Sequence, residues 1–177
     1  MQLDRTDKRI LAEIQLNGRI SNLELADKIG LSPSPCLRRV KQLEEEGIIE
    51  GYTARLNASK LGLKLTALIQ INMDKHTPDR FEHFETTIRS YPEVLECLLI
   101  AGQSADFLLK VVVQDMEVYQ DFLLNKITKI PGVTDVHSSF VLRQVISTTK
   151  LPIENIVYLM LVTQLETDMV ILCRSMS

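Results

Sequence analysis

The first fifty residues repeat one pattern: apolar positions three and four apart, broken by glycines. Leu3, Ile10, Leu11 and Ile14 mark one face of a helix, because steps of three and four keep side chains on the same side of a 3.6-residue turn. Asp4 is placed to cap this helix and Asn17-Gly18 to stop it. Leu25, Ala26 and Ile29 resume the spacing behind Ser21, and Glu24 stands three residues after that serine. The pair predicts a capping box, in which each side chain accepts a hydrogen bond from a backbone N–H that the first turn leaves orphaned. Gly30 ends the second helix, since glycine takes a positive φ without a Cβ clash. Ser32 caps a third, with Pro33 at its first position and Pro35 at its third, where a missing N–H costs nothing. Leu31 and Cys36 straddle that cap as a hydrophobic staple. Cys36, Val40 and Leu43, with Leu37 beside them, form the inner face, and Gly47 stops the helix. Residues 48–56 read as extended, a strand or a short wing, and residues 57–64 as a polar hinge.

From Leu65 the period changes to two. Leu65, Ala67, Ile69, Ile71 and Met73 alternate with mostly polar residues, the mark of a half-buried strand. Thr77-Pro78 opens a helix whose apolar face is Phe81, Phe84, Ile88 and Tyr91, and Pro92 ends it. Strands are expected at residues 94–101 and 107–113, joined by a turn at 102–106. Met116, Tyr119, Phe122, Leu123 and Ile127 mark a further helix, ended by Pro131-Gly132, before a last strand over 133–145. The exits Tyr91-Pro92-Glu93-Val94 and Ile130-Pro131-Gly132-Val133 match at an offset of 39 residues. The expected fold class is α+β: an N-terminal three-helix (winged) helix-turn-helix domain over 1–56, the hinge, and a ferredoxin-like βαββαβ domain over 65–152. That sheet carries both helices on one face, so its other face needs a cover, and a second copy of the sheet is the economical one.

Charge sharpens the first half. Residues 1–60 carry a net charge of +1 and the remainder −4, and residues 31–43 hold three cations and no anion. A net acidic chain binds DNA when its cations cluster on one face. Ser21, Asn22, Ser32, Ser34, Pro35, Arg38, Arg39 and Lys41 are the candidate DNA-binding residues: hydroxyls near bases or phosphates, cations on the phosphates. The plainer alternative is a solvated basic helix, against which stands the order of cap, glycine turn, second cap and basic face. Three cysteines, Cys36, Cys97 and Cys173, have no metal spacing. Cys36 and Cys97 read as buried free thiols in a reducing cytosol. No metal site, cofactor or catalytic residue is expected. With no apolar leader and no stretch long enough for a bilayer, the expected location is cytoplasmic and away from membranes.

The segment LDRTDKRILAEIQLNGRISNLELADKIGLSPSPCLRRVKQLEEEGIIEGYTARLN resembles the Lrp/AsnC (feast/famine) family of transcription regulators, and the likeness runs over roughly residues 1–152. The resemblance implies a C-terminal effector-binding domain whose sheets pair into dimers that assemble further, commonly into octamers. It also implies an amino-acid pocket at the loop between the second and third strands, at an interface between dimers. Gly102, Asp106 and Phe107 match the family's glycine followed by Asp-Tyr or Asp-Phe. Physically, a glycine-bearing loop exposes N–H groups to a carboxylate, and Asp106 accepts from an ammonium. By position Gln103, Ser104 and Ala105 shape selectivity, and Thr134, Asp135, His137 and Ser138 of the last strand approach the pocket. The alternative is an ordinary hairpin turn in which Asp106 caps its own loop. His76 and His83 are expected to face solvent.

Residues 153–177 depart from the family. Two short apolar runs flank a polar stretch, consistent with an extra interaction element or with a read-through extension. The leading expectation is a homo-oligomeric, sequence-specific DNA-binding regulator, not an enzyme, with double-stranded DNA and a small amino acid as partners. Two alternatives share the architecture. A siroheme-decarboxylase-like enzyme requires a positioned acid or base, and only His76, His83 and His137 are available as histidines. A metabolite-binding protein without DNA is opposed by the intact caps and by Arg38, Arg39 and Lys41.

Overall fold

The computed structural model describes residues 2–102 and 105–153. They form two compact units, residues 2–54 with 147–153, and residues 55–146. Gln103, Ser104 and the extension beyond Ile153 lie outside the described residues.

The first unit is three helices: α1 (Arg5–Leu16), α2 (Asn22–Ile29) and α3 (Pro33–Glu45). Asp4 and Asp7 cap α1 reciprocally, and Ser21 and Glu24 do the same for α2. Gly30 takes φ 73° and Gly47 φ 69°, so both turns use the left-handed region that glycine alone enters freely. Ile10, Leu11, Leu25, Ala26, Ile29, Cys36 and Leu43 make the core, with Leu3, Ile14, Ile20, Leu31, Val40 and Ile49 packed around it. Leu37 is not part of it: at 44 % exposure it points outward, contrary to the expectation from sequence. No strand forms over residues 48–57. The expected strand has no partner in this unit; instead the Tyr52 hydroxyl donates to Glu44 Oε1 at 2.9 Å.

Residues 147–152, expected at the end of the second domain, and Ile153, expected in the extra tail, cluster with the first unit. Gln15 grips the backbone of Leu151 twice, donating to its carbonyl at 3.3 Å and accepting from its N–H at 2.6 Å. Ile153 is buried in the helical core.

The second unit follows the expected βαββαβ order: β1 (Leu65–Met73), α4 (Pro78–Arg89), β2 (Val94–Leu99), β3 (Phe107–Val113), α5 (Met116–Asn125) and β4 (Val133–Phe140). The sheet order is β2-β3-β1-β4, antiparallel throughout, as in a ferredoxin-like fold. Ala67, Ile69, Ile71, Phe107, Leu109 and Val111 face Phe84, Ile88, Tyr119 and Phe122 in one core. The two matched exits close identically, Val94 N–H to the Tyr91 carbonyl at 3.1 Å and Val133 N–H to the Ile130 carbonyl at 3.2 Å. β4 ends at Phe140 rather than Val145, because its partner β1 starts at Leu65 and Phe140 already pairs with Ala67. Beyond it, Leu142, Val145 and Ile146 are 99 %, 79 % and 77 % exposed. Cys36 is buried as expected, whereas Cys97 lies on the exposed edge strand β2.

Candidate nucleic-acid interface and effector loop

The outward side of α3 is set by its inward one. With Cys36 and Leu43 fixed in the core, Ser34, Leu37, Arg38 and Lys41, related by steps of three and four, emerge as one exposed stripe. Ser32 occupies the N-cap but makes no side-chain cap bond, and Pro33 and Pro35 remove donors from the first turn. The N-terminal end of the helix dipole and the two cations give the stripe a positive field.

The neighbouring arginines divide. Arg38 is exposed, while Arg39 turns back to α1, its Nη1 2.8 Å from Asp4 Oδ2 and 2.7 Å from Asp7 Oδ1. Hydrogen bonds to these carboxylates, Asp7 first, push the Arg39 pKa further up. Asp7 is the one buried polar side chain of the described residues, at 2 % exposure, so Arg39 neutralises a carboxylate that would otherwise be stranded. Arg39 thus belongs to the α1–α3 contact and not with the DNA-facing cations expected from sequence. Ser21 and Asn22 also serve the fold. Ser21 caps α2, and Asn22 Nδ2 donates to the Pro33 carbonyl at 2.9 Å, tying α2 to the start of α3.

In the second unit, Asp106 anchors the loop that ends β2 and opens β3. Its N–H donates to the Ile71 carbonyl at 3.0 Å and its carbonyl accepts from the Ile100 N–H at 2.8 Å. Its carboxylate accepts from the Met73 N–H at 2.8 Å and meets His76 Nε2 at 3.0 Å. Asp106 therefore pins the loop to β1, and His76, facing solvent as expected, reaches its carboxylate from the β1–α4 connection. No local spacing announces that pair, since 30 residues separate them. Ala105 is buried at 4 % and Gly102 is exposed. Gly102 is not in the left-handed region, and a Cβ built there would meet nothing within 4 Å. One chain's fold does not require glycine at that position.

The β4 candidates stand at the same end of the sheet as this loop, but on the far side of β1: Val136 pairs with Ile71, which also pairs with Phe107. Two strand spacings, about 10 Å, separate β3 from β4. Thr134 Oγ1 donates to the Asn72 carbonyl at 3.1 Å, and Asp135 faces His137 across 3.0 Å. Ser138 departs from expectation, lying on the helix-covered face with its hydroxyl against that of Tyr119. A cavity of about 330 Å³ opens between α4 and β2 beside the loop, lined by Glu85, Ile88, Arg89, Cys97, Leu99 and Phe107. Desolvation there, reinforced by Glu85, pushes the Cys97 thiol pKa up.

A three-helix reading head and a separate αβ sandwich with a pinned loop define a class: a winged helix-turn-helix regulator carrying a ligand-binding domain. The winged helix-turn-helix DNA-binding family matches residues 3–50, and the Lrp/AsnC ligand binding domain family matches residues 66–151. The leucine-responsive regulatory protein of Escherichia coli K12 is 43 % identical over 152 residues, covering 86 % of this chain and 92 % of that protein. A transcriptional regulator from Neisseria meningitidis, solved as its complex with L-methionine, is 41 % identical with a TM-score of 0.83, over 88 % of this chain and 99 % of that one. An AsnC family regulator from Agrobacterium tumefaciens is 36 % identical with a TM-score of 0.81, over 86 % and 98 %. The chain belongs to the Lrp/AsnC family of DNA-binding transcription regulators. Among the described residues no helix is long and apolar enough to cross a membrane.

Proposed function

We propose that this regulator binds double-stranded DNA through the outward stripe of α3 as a homo-oligomer, and that an amino acid held at the loop around Gly102 and Asp106 tunes that binding. The observation that carries the DNA contact is the stripe itself. Ser34, Arg38 and Lys41, with Ser32 at the cap, project from a helix whose opposite side is fixed in the core. Arg38 and Lys41 contact phosphates, and paired helices meet successive major grooves about one DNA turn apart.

An amino acid is the effector class favoured by two features. The Neisseria relative was solved with L-methionine, and Gly102 has no role in the backbone of one chain, which suits close approach by a ligand or a neighbouring copy. Asp106 already accepts the Met73 N–H, so its remaining oxygen, beside His76, is the one that meets an ammonium. Gln103, Ser104 and Ala105 set selectivity in this reading, with Thr134, Asp135 and His137 lining the site from the last strand. The open sheet face, where Leu68, Leu98, Leu108 and Val112 stand between Gln70, His137 and the Lys110–Glu96 pair, is covered by a second copy. Dimers assemble further, in the direction of an octamer.

Native mass spectrometry of the full chain, with and without the twenty amino acids, tests both halves. An even-numbered oligomer retaining one or two of them supports the reading. A monomer that retains none removes the oligomer and the effector loop and leaves DNA binding alone.

A further inference from the structure

We infer that Leu37 is a base-reading residue, its side chain packing on the C5-methyl group of a thymine in the major groove. The inference rests on α3 being the helix that enters the groove. Leu37 is 44 % exposed and, Pro33 at the helix start apart, the other exposed positions of α3 are polar. It is not among the residues of the helical core, to which α3 contributes Cys36, Val40 and Leu43. Single exposed leucines are common on protein surfaces, so what distinguishes this one is its place.

Leu37 is the fifth residue of α3, in the N-terminal half that a helix-turn-helix presents to base edges. It stands at the edge of the stripe, with Ser34, Arg38 and Lys41 to one side of it around the helix and the core-facing Val40 to the other. In that reading the cations hold the helix on phosphates, and Leu37 is the large apolar side chain that the groove-entering half of the helix leaves exposed to a base edge. The major groove offers one apolar feature for such a side chain, the thymine methyl; every other base edge presents donors and acceptors that a leucine would leave desolvated and unpaired. An isolated leucine in a polar stripe also lacks the contiguous apolar area of a protein-docking patch.

The test uses the full-length protein and duplexes it selects from a random library. Each thymine of the selected site is replaced in turn by deoxyuridine, which removes only the methyl. At one thymine per half-site the wild type loses about three- to fivefold in affinity. Leu37→Ala loses nothing further from that replacement, and Leu37→Met, which keeps an apolar side chain there, remains sensitive. Equal sensitivity of wild type and Leu37→Ala, or no sensitive thymine anywhere, overturns the inference. So does unfolding of both Leu37→Ala and Leu37→Gln, which would make Leu37 a structural residue. Salt titration of Arg38→Ala separates this from failure of the groove reading. A reduced salt slope with no uracil-sensitive thymine rejects Leu37 alone, whereas an unchanged slope rejects the face.

Discussion

The helical reading head and the loop around Asp106 are held by different means. In the helical unit the turns are fixed by pairs three residues apart, Asp4 with Asp7 and Ser21 with Glu24. The loop around Asp106 is fixed across the sheet, by a bond to Met73 that spans 33 residues. Local caps set the starts of α1 and α2 whatever lies beyond them, while α3, whose N-cap Ser32 makes no side-chain bond, is oriented by its packing on those helices and by the Arg39–Asp7 tie inside the same unit. A loop pinned across strands exists only once the sheet has formed. Damage to the sheet core therefore reaches the loop, while the helices keep their own fold.

The hardest way to break that contrast is Phe84→Ala. Phe84 is fully buried, and its ring centroid is 4.5 Å from that of Phe107, the first residue of β3. A phenylalanine-to-alanine change in a core costs about 3–5 kcal/mol. In calorimetry the transition of the sheet unit should fall and that of the helical unit should stay. Equal loss in both would show that the two units do not unfold separately.

The mirror experiment is Asp7→Ala. It leaves Arg39 facing only the half-exposed Asp4 and strips the capping box from α1. Removing one partner of a buried pair costs about 3–5 kcal/mol at the limit; with Arg39 32 % exposed, solvent screening reduces this to about 2 kcal/mol. Urea unfolding followed on the helical unit should register that loss, with the sheet unit unmoved.

Arg38→Ala and Arg39→Ala sharpen the contrast inside one helix. Arg38→Ala should keep its melting temperature, weaken DNA binding and lower the salt slope by about one unit for each phosphate left without its cation. Arg39→Ala should leave Asp7 unpaired and lower the melting temperature, with the salt slope of its folded fraction intact. If the two variants behave alike, the division of labour between adjacent arginines is wrong.

Much of this architecture is legible in the residues. The caps, glycine stops and apolar periods place α1 to α3, and β1 and β3 emerge at their expected bounds, because those signals act within a few residues. What the chain does not announce is rotational or distant. Leu37 stands further out on α3, and Arg39 is turned further towards α1, than the spacing suggests, since a helical wheel does not say where neighbouring helices lie. His76 gives no sign of meeting Asp106, because only antiparallel pairing of β1 and β3 brings the end of one beside the start of the other. The shorter β4 follows from where β1 begins, which no residue of β4 records.

The smallest expected effect tests the local caps themselves. Glu24 accepts from the backbone N–H and the hydroxyl of Ser21, at 3.0 Å and 2.9 Å, and these bonds, the backbone one first, hold its pKa below the ordinary value of 4.5. Asp4 is likewise held below 3.8, chiefly by its backbone bond from Asp7 and then by Arg39. A carboxylate whose folded pKa is depressed binds protons more readily when unfolded. Its stabilisation is therefore complete above the ordinary value and is lost as pH falls through the folded one. The helical unit should hold constant stability from neutral pH down to about pH 5 and then decline. Glu24→Gln should flatten part of that decline while slightly lowering the neutral plateau, because the neutral amide keeps an acceptor for the cap but no charge to lose. Chemical denaturation of the helical unit at pH 7, 5, 4 and 3 reads both changes, and an acid limb identical in wild type and Glu24→Gln would remove the capping box from the forces that set this unit's acid stability.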